Sequence, residues 1–428
     1  SAIEPIAALC AAGIDVIVTD HHLPSTALPE CLAVLNPRQV DCGYPDKELA
    51  AVAVAFKLAL ALASRLGQKD NFIWRMLDLV ALATVADVAK LNGENRVLVS
   101  YGLRMLAESD NIGLRAMIRA AGLDAKPITA GRVGYILGPR LNAAGRIGSA
   151  LDGVRLLMTE DVNEANSIAR RLEELNAQRQ ELDRKVLAEA REMVAELDLD
   201  ETYGIVLARE GWHPGVIGIV ASRLVEDFGR PVILIALEGE TGKGSGLGIP
   251  GGTPQFDLHK ALGDSSDLLI RYGGHKAAAG ITISRENVEA FSRRFNEVAM
   301  SMLDIDDFTP EVRVDLEVSM DRVDEKLETL LRHFEPFGIG NPTPVLAARG
   351  VRLAAPPKLV GKDGVRLRLL AGTGELEAIA WGFANRIEDF DISVPMDIAF
   401  RLERDEYKGY SRLQARIADV IPRPQGTG

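Results

Sequence analysis

The sequence predicts an α/β protein of several domains that ends in a small β-barrel. Three observations carry this expectation: short β-branched runs alternate with helical patterns over most of the chain, one long amphipathic stretch near the middle lacks glycine and proline, and the apolar period switches to two beyond residue 345. A length of 428 residues exceeds what one core usually serves, so two to four domains are expected.

The chain opens without a methionine, in a short helical pattern (Ile3, Ile6, Ala7, Leu9). IDVIVT (14–19) reads as a buried parallel strand and LAVL (32–35) as a second. KELAAVAVAFKLALALASRL (47–66) is apolar nearly all round, as a helix packed on a sheet would be. NFIWRMLDLVALATVAD reads as one helix ending at Asp87, and a third helix covers 92–107. Two strands are too few for a sheet covered by helices on both faces, so further strands are expected before Ser1.

From 161 to 197 apolar residues recur at Ile168, Leu172, Leu175, Leu182, Val186, Met193 and Leu197, which predicts one long helix connecting two lobes. Strand and helix signals then resume: strand 204–209, helix 215–228, strand 231–237, glycine-rich turns, strand 279–284 and helix 285–302. Glycine and proline cluster in HFEPFGIGNPTPV (333–345) and mark a corner or linker. GVRLRLL, ELEAIAW, DIAFRLER and SRLQARIADV then alternate apolar with polar residues, which fits a barrel of about five strands, an OB-fold first among the candidates.

A hydrophobic fraction of 47% against 26% charged residues excludes a disordered chain. No apolar run reaches the roughly 18 residues of a membrane span and no signal segment opens the chain, so a cytoplasmic protein is expected. Cys10, Cys31 and Cys42 show no metal-ligand spacing and read as buried free thiols. Residues 345–423 hold 13 Lys+Arg against 11 Asp+Glu, net +2; the whole chain is −12, so the remainder carries −14. With Trp381, Phe383, Tyr407 and Tyr410, the barrel suits single-stranded nucleic acid.

The residues that carry chemistry begin with Asp20, His21 and His22. They stand together at the carboxyl end of a strand, where open α/β sheets bind ligands. Carboxylate oxygen with imidazole nitrogen suits Mn²⁺, Fe²⁺ or Zn²⁺, and a mostly carboxylate shell suits Mg²⁺ or Mn²⁺. Asp87 ends the apolar run VALATVAD and needs a cation or a hydrogen-bonded cap to offset burial. GPRLNAAGRIG (138–148) contains Arg140, Asn142 and Arg146, and residues 131–155 add Arg132 and Arg155 against Asp152 alone, an excess suited to a phosphodiester chain. GKGSGLGIPGG (242–252), with Ser245, and GGHKAAAG (273–280), with Gly273, Gly274 and His275, let backbone N–H groups approach a phosphate.

VTDHH, ATVAD, GPRLNAAGRIG, WHPGVIGIVASRL, GGHKAAAG and EPFGIGNPTPV occur in an order that resembles the RecJ-type exonucleases of the DHH phosphoesterase family, from the first residue through the terminal barrel. The resemblance implies a DHH domain incomplete at its N-terminus (1–158), a connecting helix (159–200), a DHHA1 domain (201–333), a linker (334–344) and an OB-fold (345–423). It implies degradation of single-stranded DNA from the 5′ end with Mn²⁺ or Mg²⁺ at a two-metal site, in DNA repair and recombination. It makes Asp20, His21, His22 and Asp87 look like part of the metal site and His275 like the substrate histidine; in the mechanism expected from this, Asp20, His21 and Asp87 hold metal, Asp20 and Asp87 act in catalysis, and His22 contacts or places the scissile phosphate. Partners implied are single-stranded DNA, a single-strand-binding protein and a repair helicase, with no membrane and a monomeric chain. Two departures are expected to matter. Family members place further metal-binding aspartates upstream of DHH, so weak metal binding and little turnover are expected of these 428 residues. Leu247 stands where the family usually has a phosphate-holding arginine. The competing readings are a phosphodiesterase of short oligonucleotides or cyclic dinucleotides, which would not need the barrel, and a catalytically silent DNA- or replisome-binding scaffold, which would not need an intact DHH.

Overall fold

A computed structural model describes residues 3–24, 27–249, 256–309, 311–407 and 410–423. Pro250, Gly251 and Gly252 of the glycine-rich stretch and the side chains of Tyr407 and Tyr410 lie outside the described residues. The chain divides into two units: residues 1–109 with 124–138 and 312–428, and residues 110–123 with 139–311.

The first unit begins with α1 (Ile3–Ala11), β1 (Ile17–Thr19) and β2 (Ala33–Leu35). The two strands pair parallel, Ile17 opposite Ala33 and Thr19 opposite Leu35, as the β-branched runs predict. They are shorter than expected, and no residue of α1, β1 or β2 is buried. The apolar helix forms as α2 (Ala51–Arg65) but buries only Ala53, Val54, Phe56 and Ala63, because so small a sheet cannot cover it. The single helix expected over 71–87 is two, α3 (Asn71–Arg75) and α4 (Leu77–Ala86), separated at Met76 (ψ 2°). There Trp74 turns back onto Phe56 with ring centroids 5.4 Å apart and donates its indole N–H to Asp70 at 3.0 Å. α5 (Gly93–Ala107) crosses α4 at Gly102, where a Cβ would lie 2.1 Å from the Leu77 carbonyl oxygen. Only glycine permits that approach.

The chain contributes α6 (Ile112–Ala120) to the second unit and returns to the first for α7 (Ala130–Arg132) and a π-helical turn, Val133–Leu137. α8 (Gly138–Ile147), α9 (Leu151–Met158) and α10 (Val162–Ala195) follow. α10 runs 34 residues, as its uninterrupted pattern predicts, and starts where the Asp161 carboxylate accepts the N–H groups of Asn163 and Glu164. β3 (Ile205–Glu210), β4 (Val232–Glu238), β5 (Thr241–Leu247), β6 (Leu269–Gly274) and β7 (Ala278–Ser284) form a sheet in the order β3-β4-β5-β7-β6, parallel only between β3 and β4. α10 and α11 (Ile217–Phe228) pack on one face, α12 (Leu258–Gly263) and α13 (Val288–Met302) on the other.

The glycine-rich stretch expected to turn is instead the middle strand, β5. Its glycines alternate onto the α13 face, where a Cβ at Gly242, Gly244 or Gly246 would come within 2.6, 2.5 and 2.9 Å of Ile235, Ile281 and Ile233 respectively. Large isoleucines on both neighbours fill the space that β5 leaves empty.

The remainder of the first unit holds β8 (Leu316–Glu317), α14 (Glu325–Arg332), β9 (Leu346–Val351), β10 (Leu353–Val360), β11 (Gly364–Ala371), β12 (Gly374–Trp381), β13 (Met396–Tyr407) and β14 (Tyr410–Pro422). Their order is β10-β11-β12-β14-β13-β9-β8, seven strands where about five are expected, around a core that includes Leu346, Val365, Leu367, Phe390 and Phe400. The glycine-proline segment is a packed corner: Arg96 donates to the carbonyls of His333 and Glu335, and the Leu91 N–H donates to that of Ile339. Among the described residues no helix is long and apolar enough to cross a membrane. The three cysteines are free but half-buried rather than buried.

Candidate functional site

The chain leaves β1 with the Asp20 N–H bonded to the Leu35 carbonyl, which carries the strand pairing one residue further. It then turns around the Asp20 carboxylate. Oδ1 accepts the N–H of His21 at 2.7 Å and that of His22 at 3.1 Å, and meets His22 Nδ1 at 2.7 Å. Burial pushes this carboxyl up, but the bonds from the His22 ring and from the two N–H groups outweigh it and hold Asp20 below the ordinary carboxylate value of 3.8. Asn36, 5% exposed just after β2, donates to the His22 carbonyl at 2.8 Å and accepts the Arg38 N–H at 2.9 Å. It fixes the turn from behind and is a residue that motif reading misses; its only signal is a polar amide directly after an apolar strand.

Asp87 caps the C-terminus of α4 and meets His21 Nε2 at 2.9 Å through Oδ2. Beyond it Val88 occupies the left-handed region (φ 60°), with Ala89 N–H bonded back to the Thr84 carbonyl. A β-branched residue in a place that normally takes glycine is a strained one, and it directly follows Asp87. Asp20 with His22 and His21 with Asp87 thus form two pairs, and the two rings touch edge to face with centroids 4.7 Å apart. The four residues singled out in the sequence are one cluster.

The donor kinds suit a divalent cation, and 2.9 Å is also the edge that neighbouring ligands span in an octahedron with bonds of about 2.1 Å. The number falls short. Among the described residues no group of three His, Cys, Asp or Glu is arranged to hold a metal ion, and the cluster contains two carboxylates.

The second unit places the other named residues in two groups. Ser245 lies half-buried on β5, opposite Gly280 of β7, which in turn faces Gly273 of β6. Gly274 (φ 148°) ends β6, and His275 follows, exposed, with its N–H bonded to the Ala278 carbonyl. Leu247 is spent on packing, half-buried against the α10–α11 cluster. In the other group, on α8, Asn142 and Arg146 are exposed and Arg146 donates to the Gly215 carbonyl at 3.0 Å. Arg140 forms a two-pronged pair with Glu173 at 2.5 and 3.0 Å. The arginine excess read in residues 131–155 is largely offset by α10, since Arg155 pairs with Glu164 as well. Charge balance over a sequence window missed carboxylates that the fold brings in from a later helix.

A model of the DHH family N-terminal domain matches residues 1–84, one of the DHHA1 domain matches 201–301 and one of the RecJ OB domain matches 314–419. The single-stranded-DNA-specific exonuclease RecJ of Salmonella typhimurium is 37% identical over 426 residues, 96% of this chain and 74% of that protein. The chain belongs to the RecJ family. RecJ of Bacillus subtilis is 37% identical over 411 residues, 95% of this chain and 51% of that protein. The crystal structure of RecJ from Thermus thermophilus in complex with Mn²⁺ superposes with a TM-score of 0.83 at 32% identity, covering 100% of this chain and 61% of that one. The chain therefore spans about half the length of the Bacillus RecJ and under two thirds of the Thermus one. The DHH, DHHA1 and OB folds expected from the sequence are those of the RecJ family.

Proposed function

We propose that this RecJ-family chain hydrolyses phosphodiester bonds of single-stranded DNA, from the 5′ end and with a divalent metal, in cytoplasmic DNA repair and recombination. The observation that carries the reading is the cluster of Asp20, His21, His22 and Asp87 beyond β1. Its support from outside the chain is that the relatives are described as single-stranded-DNA-specific exonucleases and that solved RecJ structures contain Mn²⁺ or Mg²⁺. The division at residues 158, 200, 333 and 344 belongs to the same proposal, as do a single-strand-binding protein and a helicase as partners of a monomeric chain.

Asp20, His21 and Asp87 would hold the metal. When bound, a divalent ion lowers the pKa of a water and neutralises charge on the phosphate. His22, with Nδ1 held by Asp20, leaves Nε2 as the nitrogen that would meet a phosphate oxygen. Ser245, the N–H groups around Gly273 and Gly274, and His275 would hold substrate phosphate in the second unit, with Asn142 and Arg146 as further polar contacts. The seven-stranded sheet offers surface for a long strand rather than a dinucleotide.

The test uses single strands labelled at either end, with blunt duplex controls. Slow, Mn²⁺-dependent release of label from the 5′ end, abolished by chelator, is expected. Release from the 3′ end first, or equal attack on duplex, would overturn the reading.

A further inference from the structure

The sheet of the second unit is covered unequally. α12 and α13 bury one whole face, while α10 and α11 cover the other only over β3, β4 and the near side of β5. β5, β7 and β6 therefore keep an open face beside Pro214 and Ile217, a cavity of about 470 Å³. Two cross-strand rows line it. The first is Ser245, Gly280 and Gly273, of which Ser245 and Gly273 are proposed above to hold substrate. The second, one pleat along, is Lys243, Thr282 and Arg271.

Arg271 reaches this face through an irregularity. Leu269 pairs with Ile283 and Arg271 with Thr282, so β6 spends two residues against one of β7, and Ile270 is the extra one, left 60% exposed. Without that bulge strict alternation from Leu269, which packs into the α13 core, would put Arg271 on the buried side. Bulges of this kind re-aim a side chain. Lys243 and Arg271 are both exposed, and among the described residues neither side chain makes a hydrogen bond or ion pair. Their backbones stand two strand spacings apart, roughly 10 Å, so two long cationic side chains can meet over the Thr282 hydroxyl.

We propose that Lys243, Thr282 and Arg271 form a second phosphate subsite, which takes the phosphodiester neighbouring the one held by the Ser245 row. The rows are separated by two residues of strand, roughly 6.6 Å, a spacing that one nucleotide step of an extended strand spans. The inference rests on the proposed action on single strands. It also bears on Leu247: Leu247 stands on the His275 side of Ser245 and Arg271 on the other, which moves the grip from one flank of that serine to the other.

The experiment measures binding of a fluorescent 5′-phosphorylated hexathymidylate to the 428-residue chain, in chelator, across a salt series. Lys243→Gln combined with Arg271→Gln should weaken binding about tenfold at low salt and reduce the slope of log K against log salt by about 0.7, one phosphate contact's worth. Arg184→Gln with Lys185→Gln removes the same charge from an exposed turn of α10 and should leave the slope unchanged. An unchanged slope in the first variant, or an equal loss in the control, overturns the subsite. If the parent chain binds no hexathymidylate at all, the proposed function fails instead, and the two failures are told apart by that one measurement.

Discussion

β1 and β2 have three residues each and bury none of the six, whereas β4 alone buries five in succession between two helical layers. The four-residue cluster hangs from the thinner sheet, and the rows proposed to hold phosphate lie on the thicker one. In the first, position comes from polar contacts: Asp20 accepting two N–H groups, Asn36 holding the turn, and Val88 in a strained bend. In the second, it comes from packing, with glycines cut to fit their isoleucine neighbours. Substitutions should therefore hurt the two regions in different currencies, geometry in one and folding stability in the other.

The largest effect on stability is expected in α10. Arg179 and Asp183 form a pair at 2.9 Å with side chains 10% and 1% exposed. Asp183→Ala leaves a buried guanidinium with the Asn176 amide oxygen but no counter-charge and should cost about 3–5 kcal/mol in chemical denaturation, while Arg179→Met together with Asp183→Leu should recover most of it. Next comes His22→Ala, which should slow cleavage by about two orders of magnitude with DNA binding nearly intact. Equal loss of both would mark His22 as structural. Gly244→Ala should then cost about 1–3 kcal/mol through the clash with Ile281, whereas Ile17→Ala on the exposed β1, 48% exposed, should cost less than about 1 kcal/mol. Similar costs at the two sites would erase the contrast between the sheets.

What could be read in the sequence follows the same division. The Asp20 cluster and α10 were legible because local spacing carries them: adjacent DHH residues, an apolar run ending in Asp87, and an unbroken helical period. β5 was not, because glycine normally signals a turn, and its reason for being there is the bulk of Ile233, Ile235 and Ile281 on other strands. Arg271 escaped for a related reason, since a bulge changes which face a residue takes without changing its sequence period. Asn36 acts through a backbone carbonyl fourteen residues away, which no motif records.

The smallest expected effect concerns two carboxyls shifted in opposite directions. Burial pushes Glu403 of β13 above its ordinary value of 4.5; Arg416 opposes this, Asp405 adds to it and Arg401 opposes it. A raised folded value favours folding at low pH and loses that contribution as pH climbs from 4.5 through the folded value. Asp20, held low, does the reverse: its contribution is present above 3.8 and is lost as pH falls through its folded value. Glu403→Gln should therefore gain in denaturation midpoint over the parent as pH rises from 4.5 toward 7. A constant difference across that range would contradict the burial argument.

The most direct measurement is a Mn²⁺ titration of the 428-residue chain followed by the electron paramagnetic resonance of free Mn²⁺, repeated with Asp20→Asn and Asp87→Asn. Two carboxylates are too few to balance two divalent ions. Weak binding of no more than one ion per chain, lost in either variant, is the predicted result; two tightly bound ions would show that further ligands join Asp20 and Asp87, and binding that survives both substitutions would show that the cluster beyond β1 is not the metal site.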